Sequence, residues 1–249
     1  MRKKTKEYNS NNKINSLIRL NKYISNSGIC SRREADKFIE AGVVSVNGKV
    51  ITEMGYKIQK TDVVKFNDAI IKSQQHKYLL LNKPKNYTSS FKDSFKKNSV
   101  MALVRNKCRE EIFPIGKLDK KTTGLMLFSN DNDLTKKLTK KSLKIKCIYH
   151  ATLNKNLQDI DLKKIKEKRW DDYGIKITDI AYANQKDKKE IGIEMIGPTK
   201  NVIDKIFETY NYQTTRIDRV YYAGLTKKNL ARKESRFLTE EEISILKRQ

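Results

Sequence analysis

A single aspartate in a short polar turn is the residue in this sequence best placed to do chemistry. Asp119 lies in the stretch FPIGKLDKKTTGLMLFSNDNDLTKKL, shortly before the apolar run LMLF at residues 125–128. Because this run does not alternate with polar residues, it predicts a strand buried on both faces, with Asp119 at the mouth of a core. A partly desolvated carboxylate in such a place could serve as a nucleophile or a base. The alternative is an ordinary aspartate in a solvated turn.

The chain carries an excess of positive charge that favours a polyanionic partner. Its 249 residues include 54 Lys and Arg against 29 Asp and Glu, which gives a formal net charge of +25. Nucleic acid is therefore favoured over a membrane surface or an acidic protein. No apolar run approaches the roughly 18 residues that a transmembrane helix needs. Residues 1–16 have charge but no apolar core of a secretory signal, so we interpret them as a flexible basic tail.

The cysteine and histidine content argues against a metal site and a disulfide framework. Cys30, Cys108 and Cys147 share no CxxC spacing, and His76 and His150 lie far apart in the sequence. An odd number of unpaired thiols is typical of a reducing, cytoplasmic setting. The sequence also lacks a glycine-rich phosphate loop, which disfavours ATP and dinucleotide cofactors. We therefore expect no metal and no cofactor.

The first part of the chain predicts two short helices followed by a hairpin. The first helix would end at Gly28, and Ser31 and Glu34 have the spacing of a capping box at the start of the second. Asn47-Gly48 between β-branched runs is a strong signal for a two-residue hairpin. Basic side chains of this segment could contact phosphates, although a solvated helix face is the simpler alternative; they are Arg19, Arg32, Arg33, Lys37 and Lys49.

The order of residues in this segment resembles a known RNA-binding module. IRLNKYISNSGICSRREADKFIEAGVVSVNGKVI is similar to the S4 domain, in the version found at the front of certain bacterial pseudouridine synthases. An S4 domain implies binding to RNA without specifying any chemistry. Structured RNA suits the segment, because it offers basic side chains without a row of exposed aromatics for stacking single-stranded bases.

The stretch around Asp119 also resembles a family motif. FPIGKLDKKTTGLMLFSNDNDL is similar to the catalytic motif G-R-L-D-x-x-T-x-G-L-L-L-L-T-N-D-G of the RsuA/RluB/RluE/RluF group of pseudouridine synthases, and most similar to its RluF branch. The segment YLLLNKPKNYTSS resembles the strand and turn that open the catalytic domain of that group, with Asn86 at a position where glycine is usual. The matching residues of the motif are Gly116, Leu118, Asp119, Thr122, Gly124, Leu125, Leu127, Asn130 and Asp131.

The resemblance implies roles for further residues. Asp119 would be the catalytic aspartate, and Tyr149 would carry the extruded uridine, with a core tyrosine as the alternative. Lys117 stands where the family has arginine, and it would bind substrate together with Thr122 and Arg219. Lys83, in the opening strand and turn, would contribute to RNA binding.

Two further positions depart from the family pattern. The helix predicted near residues 202–210 has Asp204 where the family has an arginine that pairs with the catalytic aspartate, so we expect the next residue, Lys205, to take over as the charged catalytic partner. Cys147 occupies a position that is usually lysine. These changes keep open an alternative function, an RNA-binding ribosome-assembly factor with impaired catalysis.

The sequence as a whole predicts an α+β protein: a small S4 domain of two helices plus a hairpin, then a mixed, mainly antiparallel sheet. The expected divisions are a basic tail at 1–16, an S4 domain at 17–65, a linker at 66–76 and a catalytic domain at 77–249. The expected reaction is conversion of uridine to pseudouridine in structured RNA. Ribosomal RNA of the large subunit (23S) or its precursor is the first candidate substrate and tRNA the second, and we expect a cytoplasmic monomer that does not associate with membranes.

Overall fold

The described residues fall into two compact units that divide between Gln75 and His76. The computed structural model describes residues 17–72, 74–90, 95–140, 145–197 and 202–249. The predicted basic tail at 1–16 lies outside these ranges. None of the helices in the described ranges is long and apolar enough to cross a bilayer.

The first unit contains the two helices and the hairpin that the sequence predicts. Ser31 Oγ accepts a hydrogen bond from the Glu34 N–H at 3.3 Å, and a Glu34 carboxylate oxygen accepts one from the Ser31 N–H at 2.8 Å, which confirms the capping box. Asn47 and Gly48 have φ of 50° and 84°, as a type I′ hairpin turn requires. The elements are β1 (Ile18–Arg19), α1 (Leu20–Asn26), α2 (Arg32–Glu40), β2 (Val44–Val46), β3 (Lys49–Val50), β4 (Lys57–Ile58), β5 (Val64–Phe66) and β6 (Ala69–Ile70).

The linker expected at 66–76 was predicted to start too early in the chain, because its first residues belong to the first unit. β5 and β6 pair as an antiparallel hairpin at the edge of the sheet β3-β2-β5-β6, and Asn67 and Asp68 form its turn with positive φ. Ile71 is buried in the core of the first unit. The polar pair Asn67-Asp68 therefore marks a tight turn between two strands, which composition alone did not separate from a linker.

The second unit is built on a mixed sheet. In the described ranges its strand order is β11-β12-β10-β13-β9-β7-β15, with β8 paired to β9 and β14 paired to β13. The pairs are antiparallel except for β9 and β13, which run parallel. The elements are β7 (Tyr78–Lys83), α3 (Val100–Val104), β8 (Phe113–Ile115), β9 (Thr123–Ser129), α4 (Asn132–Thr139), β10 (Lys146–Leu153), α5 (Asp159–Glu167), β11 (Lys176–Tyr182), β12 (Glu190–Ile196), α6 (Val202–Glu208), β13 (Thr214–Tyr222), β14 (Leu225–Thr226), β15 (Ser235–Phe237) and α7 (Glu240–Arg248). The predicted α+β fold is confirmed.

Strand β9 is buried on both faces, as its unbroken apolar run predicts. Leu125 and Leu127 belong to the larger core of the unit, whereas Met126 and Phe128 belong to a second core that also contains α3. All seven residues of β9 are buried. The strand therefore gives the loop before it a rigid base.

The parallel contact between β9 and β13 depends on a glycine. Gly124 has φ of +105° and pairs with Arg219 of β13. A Cβ atom at Gly124 would lie 2.2 Å from the Arg219 carbonyl oxygen and 2.6 Å from its backbone nitrogen. Both neighbouring atoms are backbone, so neither can move without shifting a central strand.

We expect Gly124→Ala to destabilise the second unit by more than about 3 kcal/mol, because it adds a backbone clash to an unfavourable φ. The measurement is a urea titration followed by fluorescence of Trp170, a buried residue of this unit and the sole tryptophan of the sequence.

Gly116→Ala is the matched control. Gly116 has φ of +77°, but the nearest atom to its added Cβ is the Tyr222 hydroxyl oxygen at 4.0 Å. The control should therefore be destabilised only by the backbone strain of about 1–2 kcal/mol. Equal destabilisation of the two variants would show that the clash at Gly124 is unimportant.

Candidate active site

Asp119 lies in the loop between β8 and β9, and the backbone of this loop is anchored on both sides of it. The Ser89 hydroxyl donates to the Leu118 carbonyl oxygen at 2.7 Å and accepts from the Leu118 N–H at 3.1 Å. The Asn86 N–H donates to the Lys120 carbonyl oxygen at 2.8 Å. Asn86 has φ of +68°, the conformation that glycine would otherwise supply. The side chain of Asp119 is half-buried above this base.

Beneath the loop lies the amine of Lys83, at the end of β7. Its side chain is fully buried, and its Nζ donates to the carbonyl oxygens of Asp119 at 2.8 Å, Thr122 at 2.7 Å and Pro84 at 3.3 Å. These three acceptors satisfy the three protons of an ammonium group. Burial lowers the pKa of Lys83 to about 8, although the Asp119 carboxylate opposes this shift. This amine is enclosed by the loop that it holds, so the position of Lys83 does not support the RNA-binding role expected of it.

Seven residues bring several elements together around Asp119. The cleft has a free volume of about 10 Å³, close to that of one water molecule. Its lining residues are Asp119 and Thr122 from the loop, Tyr149 from β10, Val202, Ile203 and Asp204 from α6, and Ile217 from β13. The cleft thus combines two carboxylate and two hydroxyl side chains with apolar walls. Asp119, Thr122 and Tyr149 are brought together as the resemblance implies.

Lys205 does not line this cleft. It is exposed on α6, and its Nζ lies 5.3 Å from the ring centroid of Tyr173. Successive residues of an α-helix are about 100° apart around its axis. Ile203 and Lys205 are two residues apart, so they lie on nearly opposite sides of α6. Asp204 takes the position in the cleft, where its carboxylate accepts a hydrogen bond from the Thr214 hydroxyl. The catalytic role expected of Lys205 is therefore not supported by its position.

Arg219 is buried beside the cleft and is not among its lining residues. Its Nε and Nη2 donate to the Leu125 carbonyl oxygen at 2.8 Å and 2.6 Å, and its guanidinium carbon lies 4.2 Å from the ring centroid of Tyr222. Arg219 pairs across the sheet with Tyr149. In this position Arg219 joins β13 to β9, and its place outside the cleft lining does not support the direct substrate contact expected of it.

The other substrate-binding candidates are placed differently. Lys117 is exposed and lies outside the cleft lining, while Thr122 is buried and lines it. Cys147 is buried in the core next to Arg219, and burial raises the pKa of its thiol to about 11. In this position Cys147 is a neutral packing residue.

A buried ionic network, for which the sequence offered no signal, joins the same strands. Asp218 is 1% exposed and accepts hydrogen bonds from Thr123, Lys227 and Arg232. Burial raises the pKa of Asp218, but the hydrogen bonds from Arg232 and Lys227 outweigh it and hold this pKa below its ordinary value. Arg232 also donates to the Asn82 side-chain oxygen at 2.6 Å. No local pattern marks the partners of Asp218, because the strands and loops that carry them meet only in the folded protein.

The basic candidates of the first unit remain accessible. Four of them are exposed and Arg32 is half-buried; the exposed ones are Arg19, Arg33, Lys37 and Lys49. They lie on β1, on α2 and beside the β2–β3 turn. In the described ranges, no three His, Cys, Asp or Glu side chains are grouped as a metal site would require.

Comparison with known proteins defines the class of this fold and cleft. The model of the RNA pseudouridylate synthase family matches residues 77–245, and the S4 domain model matches residues 18–64. The chain therefore belongs to the RNA pseudouridylate synthase family, and carries the S4 domain expected from its sequence.

Named relatives agree with this assignment. The chain is 32% identical to the dual-specificity RNA pseudouridine synthase RluF of Escherichia coli K12, over 92% of this chain and 78% of the relative. It is 30% identical to the ribosomal large subunit pseudouridine synthase B of Bacillus subtilis, over 93% of this chain and 96% of the relative. A crystal structure of a pseudouridylate synthase shares the fold, with a TM-score of 0.62 and 21% identity over 92% of this chain and 99% of that one.

The buried amine of Lys83 makes the stability of the protein depend on pH in a way that can be tested. Its pKa is about 8 in the folded protein and has an ordinary value of 10.5. Between these values the unfolded chain binds more protons, so the stability of the wild type rises with pH relative to a Lys83→Met variant. We expect this difference in unfolding free energy to grow by up to about 1.4 kcal/mol per pH unit, measured by urea titration at several pH values.

The matched control for this prediction is Lys85→Met, because Lys85 is exposed two residues further along the chain. Its stability relative to the wild type should not change with pH in the same window. The Lys83→Met variant could instead show a difference in unfolding free energy from the wild type that is equally independent of pH. That result would contradict the burial of a titrating amine beneath the Asp119 loop.

Proposed function

We propose that this protein isomerises a uridine of 23S ribosomal RNA to pseudouridine, with Asp119 as the nucleophile. The observation that carries the proposal is the anchored loop that presents the Asp119 carboxylate to a cleft shared with Tyr149. In this reaction the N1–C1′ bond breaks, the base turns within the cleft and a C5–C1′ bond forms. The proton lost from C5 balances the proton gained at N1. One ionised carboxylate is sufficient for covalent catalysis of such an exchange.

The apolar lining of the cleft suits a base that has left its stack. Extruding a nucleotide costs a few kcal/mol, which contacts with aromatic and apolar side chains can offset. Tyr149 offers its ring, and Val202, Ile203 and Ile217 supply apolar walls. A free volume of about 10 Å³ is far too small for a uracil ring, so the cleft must widen when the base enters.

The relatives and the charge support the RNA substrate that we propose. The Bacillus relative is named for the large ribosomal subunit, which supports 23S RNA as the main substrate. The Escherichia relative is named dual-specificity, which supports a second RNA substrate, and we propose tRNA for it. The net charge of +25 fits a long polyanion. We assign phosphate contacts to the basic side chains of the S4 domain, and we expect a cytoplasmic monomer; these side chains are Arg19, Arg32, Arg33, Lys37 and Lys49.

We expect Asp119→Asn to lower the rate of pseudouridine formation by more than about a thousandfold, because asparagine keeps the shape of the side chain and removes the nucleophile. Pseudouridine mapping of 23S RNA after incubation with purified protein measures this rate. Asp172→Asn, at an exposed position of the same unit, is the matched control and should be fully active. Wild-type activity in Asp119→Asn would overturn the proposed mechanism.

A second candidate function is favoured by Asp204. Its carboxylate shares the cleft with Asp119, at a position where the family pattern has an arginine that pairs with the catalytic aspartate. In this alternative the protein is an RNA-binding ribosome-assembly factor that keeps the fold of a pseudouridine synthase without its activity.

Two experiments separate the candidates. Pseudouridine maps of ribosomal RNA and tRNA from cells with and without the protein should differ at one or more uridines if it is an active enzyme. An assembly factor without activity would instead leave the maps identical. In that case Asp204→Arg, which removes the second carboxylate and restores a positive charge, should give the purified protein an activity that the wild type lacks.

A further inference from the structure

A second pocket lies beside the loop that carries Asp119. It is open to solvent and has a volume of about 300 Å³. Lys120, the residue that directly follows Asp119, forms part of it. Among the described residues, the lining consists of Asn86, Thr88, Lys96, Lys97, Asn98 and Lys120.

The backbone of this pocket is held by hydrogen bonds from several sides. The Thr88 N–H donates to the Asn98 carbonyl oxygen at 2.9 Å, and the Val100 N–H donates to the Thr88 carbonyl oxygen at 3.0 Å. On the opposite wall, the Asn86 N–H donates to the Lys120 carbonyl oxygen at 2.8 Å. The same hydrogen bond anchors the Asp119 loop, so the pocket and the cleft share one support.

The chemistry of the lining selects an anion. Three of the six lining side chains are lysines, and the other three are neutral groups with N–H or O–H donors. Among the described residues that line the pocket none is acidic. Lysine binds phosphate as a mobile point charge, which suits an open pocket better than a planar guanidinium would.

We propose that this pocket binds a backbone phosphodiester of the substrate RNA next to the uridine held at Asp119. The inference rests on the proposed function, because it takes the position of the phosphate from the position of the reacting nucleotide. An extruded nucleotide remains joined to its strand, and phosphate contacts fix the register of that strand. Lys96, Lys97 and Lys120 would thus align the reacting sugar with the Asp119 carboxylate.

The test compares two variants in which the same number of charges is removed. Lys96→Gln with Lys97→Gln removes two lysines of the pocket and leaves Lys120 and the Asp119 loop unchanged. Lys163→Gln with Lys186→Gln removes two exposed lysines that do not line it. Affinity for a 23S RNA fragment is measured at several salt concentrations, together with steady-state kinetics of pseudouridine formation.

We expect the pocket variant to show a shallower slope of log affinity against log salt, by about 0.7–0.9 for each phosphate that the variant no longer neutralises. Its KM should rise by about five- to twentyfold, with kcat within twofold of the wild type, because the phosphate is held equally before and during the reaction. The control pair should change neither quantity. Equal slopes and KM values in the wild type and the pocket variant would overturn the proposal.

The binding measurement separates this proposal from the proposed function. A wild type that forms no pseudouridine would overturn the proposed function, whereas the salt slopes would still report on the pocket. Calorimetric titration with inorganic phosphate distinguishes the source of the anion. If the wild type and the control pair bind phosphate and the pocket variant does not, while the RNA slope is unchanged, the pocket belongs to a small free anion and has no role in holding RNA.

Discussion

The buried ammonium of Lys83 is the interaction on which the site depends. An ammonium group taken out of water must have its protons accepted, and here the carbonyl oxygens of the catalytic loop accept them. The loop therefore cannot move away without exposing an unsatisfied charge in the core. The arrangement fixes the backbone of Asp119 from below while its carboxylate faces the cleft. The stability of the fold and the position of the Asp119 loop are therefore coupled, because both depend on the Lys83 amine.

The central strands supply the rest of the support. β9 leads out of the Asp119 loop and is buried on both faces, and at Gly124 it approaches β13 too closely for any side chain. Arg219 joins the two strands from one side of this contact, and the Asp218–Arg232 pair joins β13 to β7. Buried ion pairs contribute little net stability, but removing one partner leaves a costly unpaired charge. Such a network favours one register of the three strands over its alternatives.

Local patterns predicted most of the fold, because they depend on neighbours in the sequence. The capping box at Ser31, the Asn47-Gly48 turn and the unbroken apolar run of β9 are all found as predicted. The start of the linker was predicted wrongly because the turn at Asn67-Asp68 is as polar as a linker. The grouping of Asp119, Thr122 and Tyr149 around one cleft followed from the resemblance to a family.

Burial and helix orientation could not be predicted in the same way. Lys83 and Lys117 both lie in basic stretches that border apolar residues, yet one is fully buried and the other is exposed. The resemblance places position 204 beside Asp119, and Asp204 does line the cleft, but the rotation of α6 leaves Lys205 outside it. The Asp218–Arg232 pair depends on tertiary contacts that no local pattern encodes. The side chains that balance charge around Asp119 were therefore the hardest to predict.

The most direct measurement of the proposed activity is release of tritium from RNA labelled at C5 of uridine. Each isomerisation must remove one hydrogen from C5, so purified protein should release tritium to water in equal amount to the pseudouridine formed. RNA with pseudouridine already at the target position should release none above background. RNA that is bound by the protein but keeps all of its tritium would contradict isomerisation at the Asp119 cleft.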